Sequence, residues 1–149
     1  MSGAGAMQDR ITDTFETIQR TSMAGVPILN HALSVEVVGL QDWEGRAFGI
    51  VVTPWLMSFL VMPGDGDDWG AQPLGAKQTL SFPAGAFDFL VNDFPGLGPC
   101  LTRAIQSPMK CFPRQDDARA AARRHMDAIW VAAEPVDTAE EDEKLRRFL

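Results

Sequence analysis

The sequence is poor in the side chains that usually bind metals or act as nucleophiles. Two cysteines, Cys100 and Cys111, and two histidines, His31 and His125, occur among its 149 residues. No C-x-x-C pair is present and neither histidine has a second one at ligand spacing, so a zinc or rubredoxin-type iron site is not supported. The motifs G-x-S-x-G, Walker A and G-x-G-x-x-G are also absent. We therefore expect no enzymatic activity, no metal and no cofactor.

The sequence also lacks a long apolar run and an excess of basic residues. Its longest apolar stretch lies around residues 51–62 and is too short and interrupted to span a bilayer, which takes about 20 apolar residues. Residues 1–7 have neither a basic start nor a long apolar segment, so they do not resemble a signal peptide. The formal net charge of −7 disfavours nucleic acid and anionic membranes and permits a basic partner. We expect a cytoplasmic protein without stable membrane insertion.

What the sequence does contain is enough apolar material for one core. Hydrophobic residues make up 46% of the chain, and its length is typical of one domain. We predict a single domain over residues 1–149. Residues 1–8 are expected to form a loose N-terminal tail. Residues 134–149 are expected to form an acidic C-terminal tail that is either mobile or a short frayed helix.

The periodicity of apolar residues predicts an α+β fold. Helical spacing, with Ile11, Phe15 and Ile18 on one side, predicts a helix over about residues 8–23, and similar spacing predicts another over about 115–133. Strands are predicted at 34–40, 46–52, 55–62, 78–82, 86–91 and 100–106. Short connections imply an antiparallel sheet of five or six strands, with an N-terminal and a C-terminal amphipathic helix packed on it. We expect both helices to cover the same face.

The most unusual segment is the apolar stretch interrupted by Pro54. Proline donates no ladder hydrogen bond, so it suits a sheet edge, a bulge or a strand start. With Trp55, Met57 and Trp69 nearby, we expect an exposed apolar patch beside an unpaired strand edge, a surface suited to holding a peptide. Ordinary core packing remains the alternative for these tryptophans and methionines.

The predicted peptide-binding site combines this stretch with the acidic loop that follows it. An apolar groove bounded by acidic groups would receive a peptide with a basic head and an apolar segment. Substituting Trp55 or Met57 by alanine is expected to weaken binding while the fold survives. The candidate residues are Thr53, Pro54, Trp55, Met57, Phe59, Met62 and Trp69 for the groove, and Asp65, Asp67 and Asp68 for its rim.

Two other classes of function stay open from the residues alone. One is a small-molecule or cofactor-binding protein, or an enzyme that uses Cys100, Cys111 or His125. Such a protein would need an enclosed pocket with a polar group pointing in, or an unusually reactive thiol. The other is a purely structural subunit of a larger complex.

Several short motifs, in order along about residues 9–133, resemble one known family. They are Thr53-Pro54-Trp55-Leu56-Met57, Pro63-Gly64, Trp69, Gly75-Ala76-Lys77, Leu80, Phe82-Pro83-Ala84-Gly85, Phe87 and Ser107-Pro108-Met109, preceded by Phe15, Arg20, Met23, His31 and Val35. In these motifs the sequence resembles the HybE/HupJ/HoxT family of [NiFe]-hydrogenase assembly chaperones.

The resemblance implies a partner and a role. Members of this family are expected to bind the small-subunit precursor of a [NiFe] hydrogenase, which carries a twin-arginine signal peptide. They would delay its export until cofactors are in place, and other maturation proteins are further possible partners. The family supplies no catalytic residues to transfer. Some members are linked to a rubredoxin unit, but this sequence lacks the paired C-x-x-C of that unit.

Overall fold

The computed structural model describes residues 3–132, and within them the predicted α+β class is confirmed. Two helices flank six strands, and a single 3-10 turn at Trp69–Ala71 lies in the loop after the third strand. The elements are α1 (Gly3–Arg20), β1 (Glu36–Trp43), β2 (Arg46–Val52), β3 (Met57–Met62), β4 (Lys77–Phe82), β5 (Gly85–Phe94), β6 (Gly98–Gln106) and α2 (Gln115–Ile129). No helix in this range is long and apolar enough to cross a membrane.

The six strands form one open antiparallel sheet in the order β1-β2-β3-β6-β5-β4. The interior hairpin strands β2 and β3 are apolar on both of their sides: every residue of β3 is buried, as are five consecutive residues of β2. A sheet with such strands is stable only if other elements pack on both of its faces.

The helices meet this need by packing on opposite faces of the sheet, so the expectation that both cover one face is wrong. Ile11 and Phe15 of α1 pack in one cluster with Val51 and Leu60. Ala118, Ala122 and Met126 of α2 pack in the other, with Phe48, Ile50, Phe59 and Val61. We call these two sides the α1 face and the α2 face.

Helix α1 begins earlier than expected. It starts at Gly3, inside the segment 1–8 that we expected to be a loose tail. The reason is twofold: Ala4 and Ala6 are strong helix formers, and Met7 packs against the α1-face cluster, which stabilises the first turns. Residues 1–2 and the expected acidic tail at 134–149 lie outside the described residues.

Two glycines with positive φ shape the end and the middle of β1: one lies in the turn that follows it and the other in its bulge. The β1–β2 turn consists of Glu44 and Gly45, both with positive φ (50° and 77°), as a two-residue hairpin turn requires. Gly39, with φ 69°, forms a bulge in β1. A Cβ at Gly39 would lie 3.1 Å from Cγ of Met126, so the bulge lets α2 approach the sheet closely.

Candidate functional site

The apolar residues predicted to form a peptide-binding patch are buried, so the expected exposed patch is wrong. Met57 is 0% exposed, and Phe59, Met62 and Trp69 are each 7% exposed or less. Met57, Phe59 and Trp69 belong to the α2-face core, whereas Met62 belongs to the α1-face core. Adjacent residues of a strand point to opposite faces, so the side chains of β3 do not form one surface.

Pro54 lies in a tight hairpin, and the expected unpaired edge beside it is also absent. Strands β2 and β3 pair with each other from Val52 and Met57 onwards, and each also pairs with another strand. Residues 53–56 therefore reverse the chain in the middle of the sheet. Trp55, at the tip, is half-buried and packs against the α1-face core.

Thr53 holds this hairpin together. Its fully buried hydroxyl donates to the carbonyl oxygen of Leu56 at 2.9 Å and accepts the backbone N–H groups of Trp55 and Leu56 at 3.2 and 2.9 Å. The backbone N–H of Thr53 donates to the same Leu56 carbonyl at 2.8 Å. The motif Thr53-Pro54-Trp55 thus has a structural role at this turn.

Asn30 is an important residue that sequence reasoning missed. Its backbone N–H donates to the carbonyl of Pro54 at 2.8 Å. Its side-chain amide donates to the carbonyls of Met109 and Phe112 at 2.9 and 2.7 Å. It therefore connects the loop before β1, the β2–β3 hairpin and the segment after β6. No motif or periodicity singled it out, because its partners are distant in sequence.

The acidic rim is only partly available. Asp65 and Asp68 are exposed, but Asp67 accepts two hydrogen bonds from Arg46 and one from the backbone N–H of Gly64 at 2.8 Å. These bonds from Arg46 above all lower the pKa of Asp67, against the opposing effect of burial. Gly64 itself leaves no room for a side chain, because a Cβ would collide with the carbonyl oxygen of Gly45.

The residues of the enzymatic alternative do not come together. Cys100 is fully buried on the α1 face, where burial raises its pKa to about 12, so its thiol is a poor nucleophile. His125, on α2, lines a small hollow with Phe59 and Phe87 on the opposite face. Cys111 is exposed in the segment after β6. Within residues 3–132 no group of three or more metal-binding side chains occurs.

An accessible hollow does exist, on the part of the α1 face that α1 leaves uncovered. Helix α1 packs mainly on β1 and β2, so the same face of β3, β6 and β5 remains open beside it. This sheet-face groove has a volume of about 510 Å³. It is lined by Phe15, Val51, Leu56, Ser58, Asp88, Leu90, Asn92, Phe94, Thr102, Arg103 and Ala104.

The strand register explains why these residues meet. Leu60, in the α1-face core, pairs with Thr102, and Thr102 pairs with Leu90 on the next strand. Paired residues share a face, so this row runs from beneath α1 out into the groove. Leu90 is 46% exposed. At the other side of the groove the ring of Phe94 packs on Phe15 of α1, with centroids 5.1 Å apart.

The groove is lined by one anionic residue, Asp88, and one cationic residue, Arg103, among apolar and neutral groups. A hydrogen bond from the hydroxyl of Thr79 at 2.7 Å, assisted by Lys77 and Arg103, lowers the pKa of Asp88. Asp88 is therefore ionised at neutral pH. The guanidinium of Arg103 lies over the ring of Phe87, which belongs to the α2 face, and its Nη1 donates to the backbone carbonyl of Asp88 at 2.9 Å.

A second hollow of about 550 Å³ lies at the loops tied by Asn30. Its lining includes Ile28, Leu29, His31, Lys110 and Phe112. It is more open and more polar than the groove. The hairpin tip connects the two hollows, because Leu56 lines the groove and the Pro54 carbonyl bonds to Asn30.

Comparison with known proteins gives consistent matches. A family model described as "[NiFe]-hydrogenase assembly, chaperone, HybE" matches residues 6–149. The "Hydrogenase expression/formation protein HupT" of Azotobacter chroococcum mcd 1 is 33% identical over 121 residues, which cover 80% of this chain and 80% of that protein. The "Probable rubredoxin HupJ" of Rhodobacter capsulatus is 34% identical over 124 residues, 83% of this chain but only 45% of that longer protein.

A solved structure agrees with these matches. The solution structure of HybE from Escherichia coli superimposes with a TM-score of 0.68 at 25% identity, over 83% of this chain and 76% of that one. Sequence and fold thus lead to the same group that the motifs around Pro54 resemble. The chain belongs to the HybE family of [NiFe]-hydrogenase assembly chaperones.

Proposed function

We propose that this chain is a non-enzymatic maturation chaperone that acts in the cytoplasm on the small-subunit precursor of a [NiFe] hydrogenase. Its main target would be the twin-arginine signal peptide of that precursor, and binding would delay export until cofactor assembly is complete. The observation that carries this proposal is the open apolar groove on the α1 face, found in a member of an assembly-chaperone family.

The groove replaces the buried residues of β3 as the proposed contact surface. Leu56, Leu90 and Phe94 offer apolar contacts along it, and Asp88, which also pairs with Lys77 at 3.7 Å, offers a carboxylate at one position. A signal peptide with a basic head and a moderately apolar segment would match this arrangement. None of the ten residues of the sequence-based site lines the groove; their neighbour Leu56, in the Pro54 hairpin, does.

The expected affinity follows from the apolar area. Burying about 500 Å² of apolar surface would contribute roughly 12 kcal/mol before costs. Ordering a flexible peptide consumes several kcal/mol of that. The remainder corresponds to a dissociation constant of about 1 μM, which suits a partner that must later be released.

A calorimetric titration with a twin-arginine signal peptide tests the proposal. We expect micromolar binding to the wild-type chain and about tenfold weaker binding to Leu90→Ser, because the substitution removes exposed apolar contact area. Leu74→Ser is the matched control, since Leu74 is even more exposed (70%) but lies outside the groove. Absence of binding at high micromolar concentration, or equal effects of the two substitutions, would contradict it.

A second titration separates the signal peptide from the mature subunit as the target. The complete precursor and a small subunit without its signal would be compared against the same chaperone. Much weaker binding of the signal-less subunit is expected. Equal binding of both would place the main contact on the mature part.

A further inference from the structure

The two edge strands of the open sheet differ in how they are protected from pairing further. At the β1 edge, Gly39 forms a bulge, and Gln115 and Arg119 of α2 bind the Glu36 carboxylate at 2.8 and 2.6 Å. Strand β4, at the other edge, pairs with β5 in unbroken register and contains no proline. Bulges and prolines are common devices that keep strand edges from pairing. Within residues 3–132, β4 has neither, and no strand pairs with its outer side.

The hydrogen-bond pattern shows which backbone groups of β4 point outwards. The N–H of Val91 donates to the carbonyl oxygen of Ala76 at 2.9 Å, so the pair just before β4 is a hydrogen-bonded one. Bonded and non-bonded pairs alternate along an antiparallel ladder. The even-numbered residues of β4 therefore bond to β5, and the odd-numbered residues direct their N–H and C=O groups away from it. These outward-facing residues are Lys77, Thr79 and Ser81, and all three are exposed.

We propose that these outward groups pair with β4 of a second copy of the chain, antiparallel, across a two-fold axis at Thr79. The two six-stranded sheets then form one continuous sheet. The proposal goes beyond the proposed function, because it concerns a strand edge and a partner that the binding of a precursor does not require.

The sequence of β4 is self-complementary in this register. With Thr79 opposite Thr79 of the second copy, Lys77 lies opposite Ser81 of that copy, so every outward-facing residue meets another. About six hydrogen bonds then cross the interface, two for each bonded pair. A shift of the axis by one residue in either direction leaves only about four. The hydrogen-bond count therefore selects Thr79 as the centre.

The charges of the strand permit this pairing. Lys77 is the only charged residue of β4, and its ammonium lies 3.7 Å from the Asp88 carboxylate of β5. The two-fold axis places the two lysines at opposite ends of the interface, so like charges do not face each other. Because the interface is small and consists mainly of backbone, we expect a weak dimer, with a dissociation constant on the order of 100 μM.

This pairing would set the two grooves on one side of the joined sheet. Directly paired residues of neighbouring strands share a face, so the α1 faces of the two copies become continuous. Lys77 pairs with Leu90 and Thr79 with Asp88, which places the outward-facing residues of β4 directly beside the groove. The second copy therefore extends the surface next to Leu90.

Sedimentation equilibrium of the full chain, from about 10 μM to about 1 mM, tests the dimer. Thr79→Pro removes the central outward N–H but no hydrogen bond to β5, so it should weaken dimerisation at least about tenfold. Thr79→Val is the matched control. Like Thr79→Pro, it loses the hydroxyl that donates to Asp88 at 2.7 Å, but it keeps the N–H and should change the dissociation constant by less than about twofold.

A further variant tests the register without altering the backbone. Thr79→Lys sets two ammonium groups opposite each other across the two-fold axis, so it should also weaken the dimer, and high salt should restore it. The position is exposed, so the fold should survive. In the wild type, the amide resonances of the three outward-facing residues should shift as the protein concentration rises.

Three results would overturn the proposal. A wild-type chain that sediments as a monomer at about 1 mM forms no such interface. A dimer that neither Thr79→Pro nor Thr79→Lys weakens uses another surface. A monomeric wild type whose affinity for the twin-arginine signal peptide falls in Thr79→Pro but not in Thr79→Val would show that β4 pairs with an extended segment of the precursor instead.

Discussion

The guanidinium of Arg46 binds the carboxylate of Asp67 through two hydrogen bonds, from Nε at 2.8 Å and from Nη2 at 3.0 Å. The pair joins the start of β2 to the loop after β3. The same guanidinium lies over the rings of Trp43 and Trp69, 5.4 and 5.5 Å from their centroids. One charged pair thus closes the end of the α2-face core, and Asp67 is a structural residue there.

We predict that Asp67→Asn lowers the free energy of unfolding by about 2 kcal/mol, because a bidentate, charge-assisted contact with a largely buried guanidinium is lost. Urea denaturation would measure this. Asp65→Asn is the matched control: Asp65 is exposed in the same loop, and its substitution should change the stability by less than about 0.5 kcal/mol. Equal losses in the two variants would contradict the structural role of the pair.

The contribution of Asp67 should vanish in acid. The hydrogen bonds from Arg46 lower its pKa in the folded state more than burial raises it, whereas the unfolded chain has the ordinary value of about 3.9. The stabilisation is therefore complete above that ordinary value and is lost as the pH falls through the lower folded-state pKa. We predict that the stability difference between the wild type and Asp67→Asn, measured by urea denaturation, shrinks as the pH falls below about 4.

Thr53→Val tests the hairpin at the other end of the sheet. Valine has the same shape but leaves the backbone N–H groups of Trp55 and Leu56 without the buried hydroxyl that accepts them. We expect a loss of about 1–3 kcal/mol in unfolding free energy. Thr12→Val, at a half-buried position where the hydroxyl bonds only within α1, serves as the control for the change in side chain and should cost much less.

The periodicity of the sequence predicted the order and type of all eight helices and strands in residues 3–132, because apolar spacing is a local signal. It did not reveal where α1 begins, since Gly3, Ala4 and Gly5 carry no apolar pattern. The arrangement of the helices could have been inferred. Val51 lies between Ile50 and Val52, and a strand that is apolar on both sides indicates a sheet covered on both faces.

The site was harder to predict, because burial depends on neighbours that are distant in sequence. Met57 and Leu90 are both apolar strand residues, and nothing in the sequence around them indicates that Met57 is 0% and Leu90 46% exposed. The difference arises because Met57 packs into the α2-face core, whereas Leu90 lies on the part of the other face that α1 leaves uncovered. The recognisable motifs around Thr53 and Gly64 mark tight turns, so they identify structural residues rather than the groove.

This contrast gives a final prediction: a substitution at Met57 should affect mainly stability, and a substitution at Leu90 mainly affinity. Met57→Ala removes a fully buried side chain from the α2-face core, so it should cost about 2–5 kcal/mol of stability. Its effect on the affinity of the folded protein for the signal peptide should be small, because Met57 does not line the groove. Leu90→Ser should reduce the affinity about tenfold with little loss of stability, since Leu90 is already half-exposed.

Both variants can be measured in the same two assays, urea denaturation and calorimetric titration below the unfolding transition. The original expectation from the sequence was that Met57→Ala weakens binding while the fold survives. A Met57→Ala protein that keeps wild-type stability and loses affinity would restore that expectation and remove the groove from consideration. A Leu90→Ser protein that binds normally would also remove the groove from consideration, because no other large apolar side chain lining the groove is as exposed.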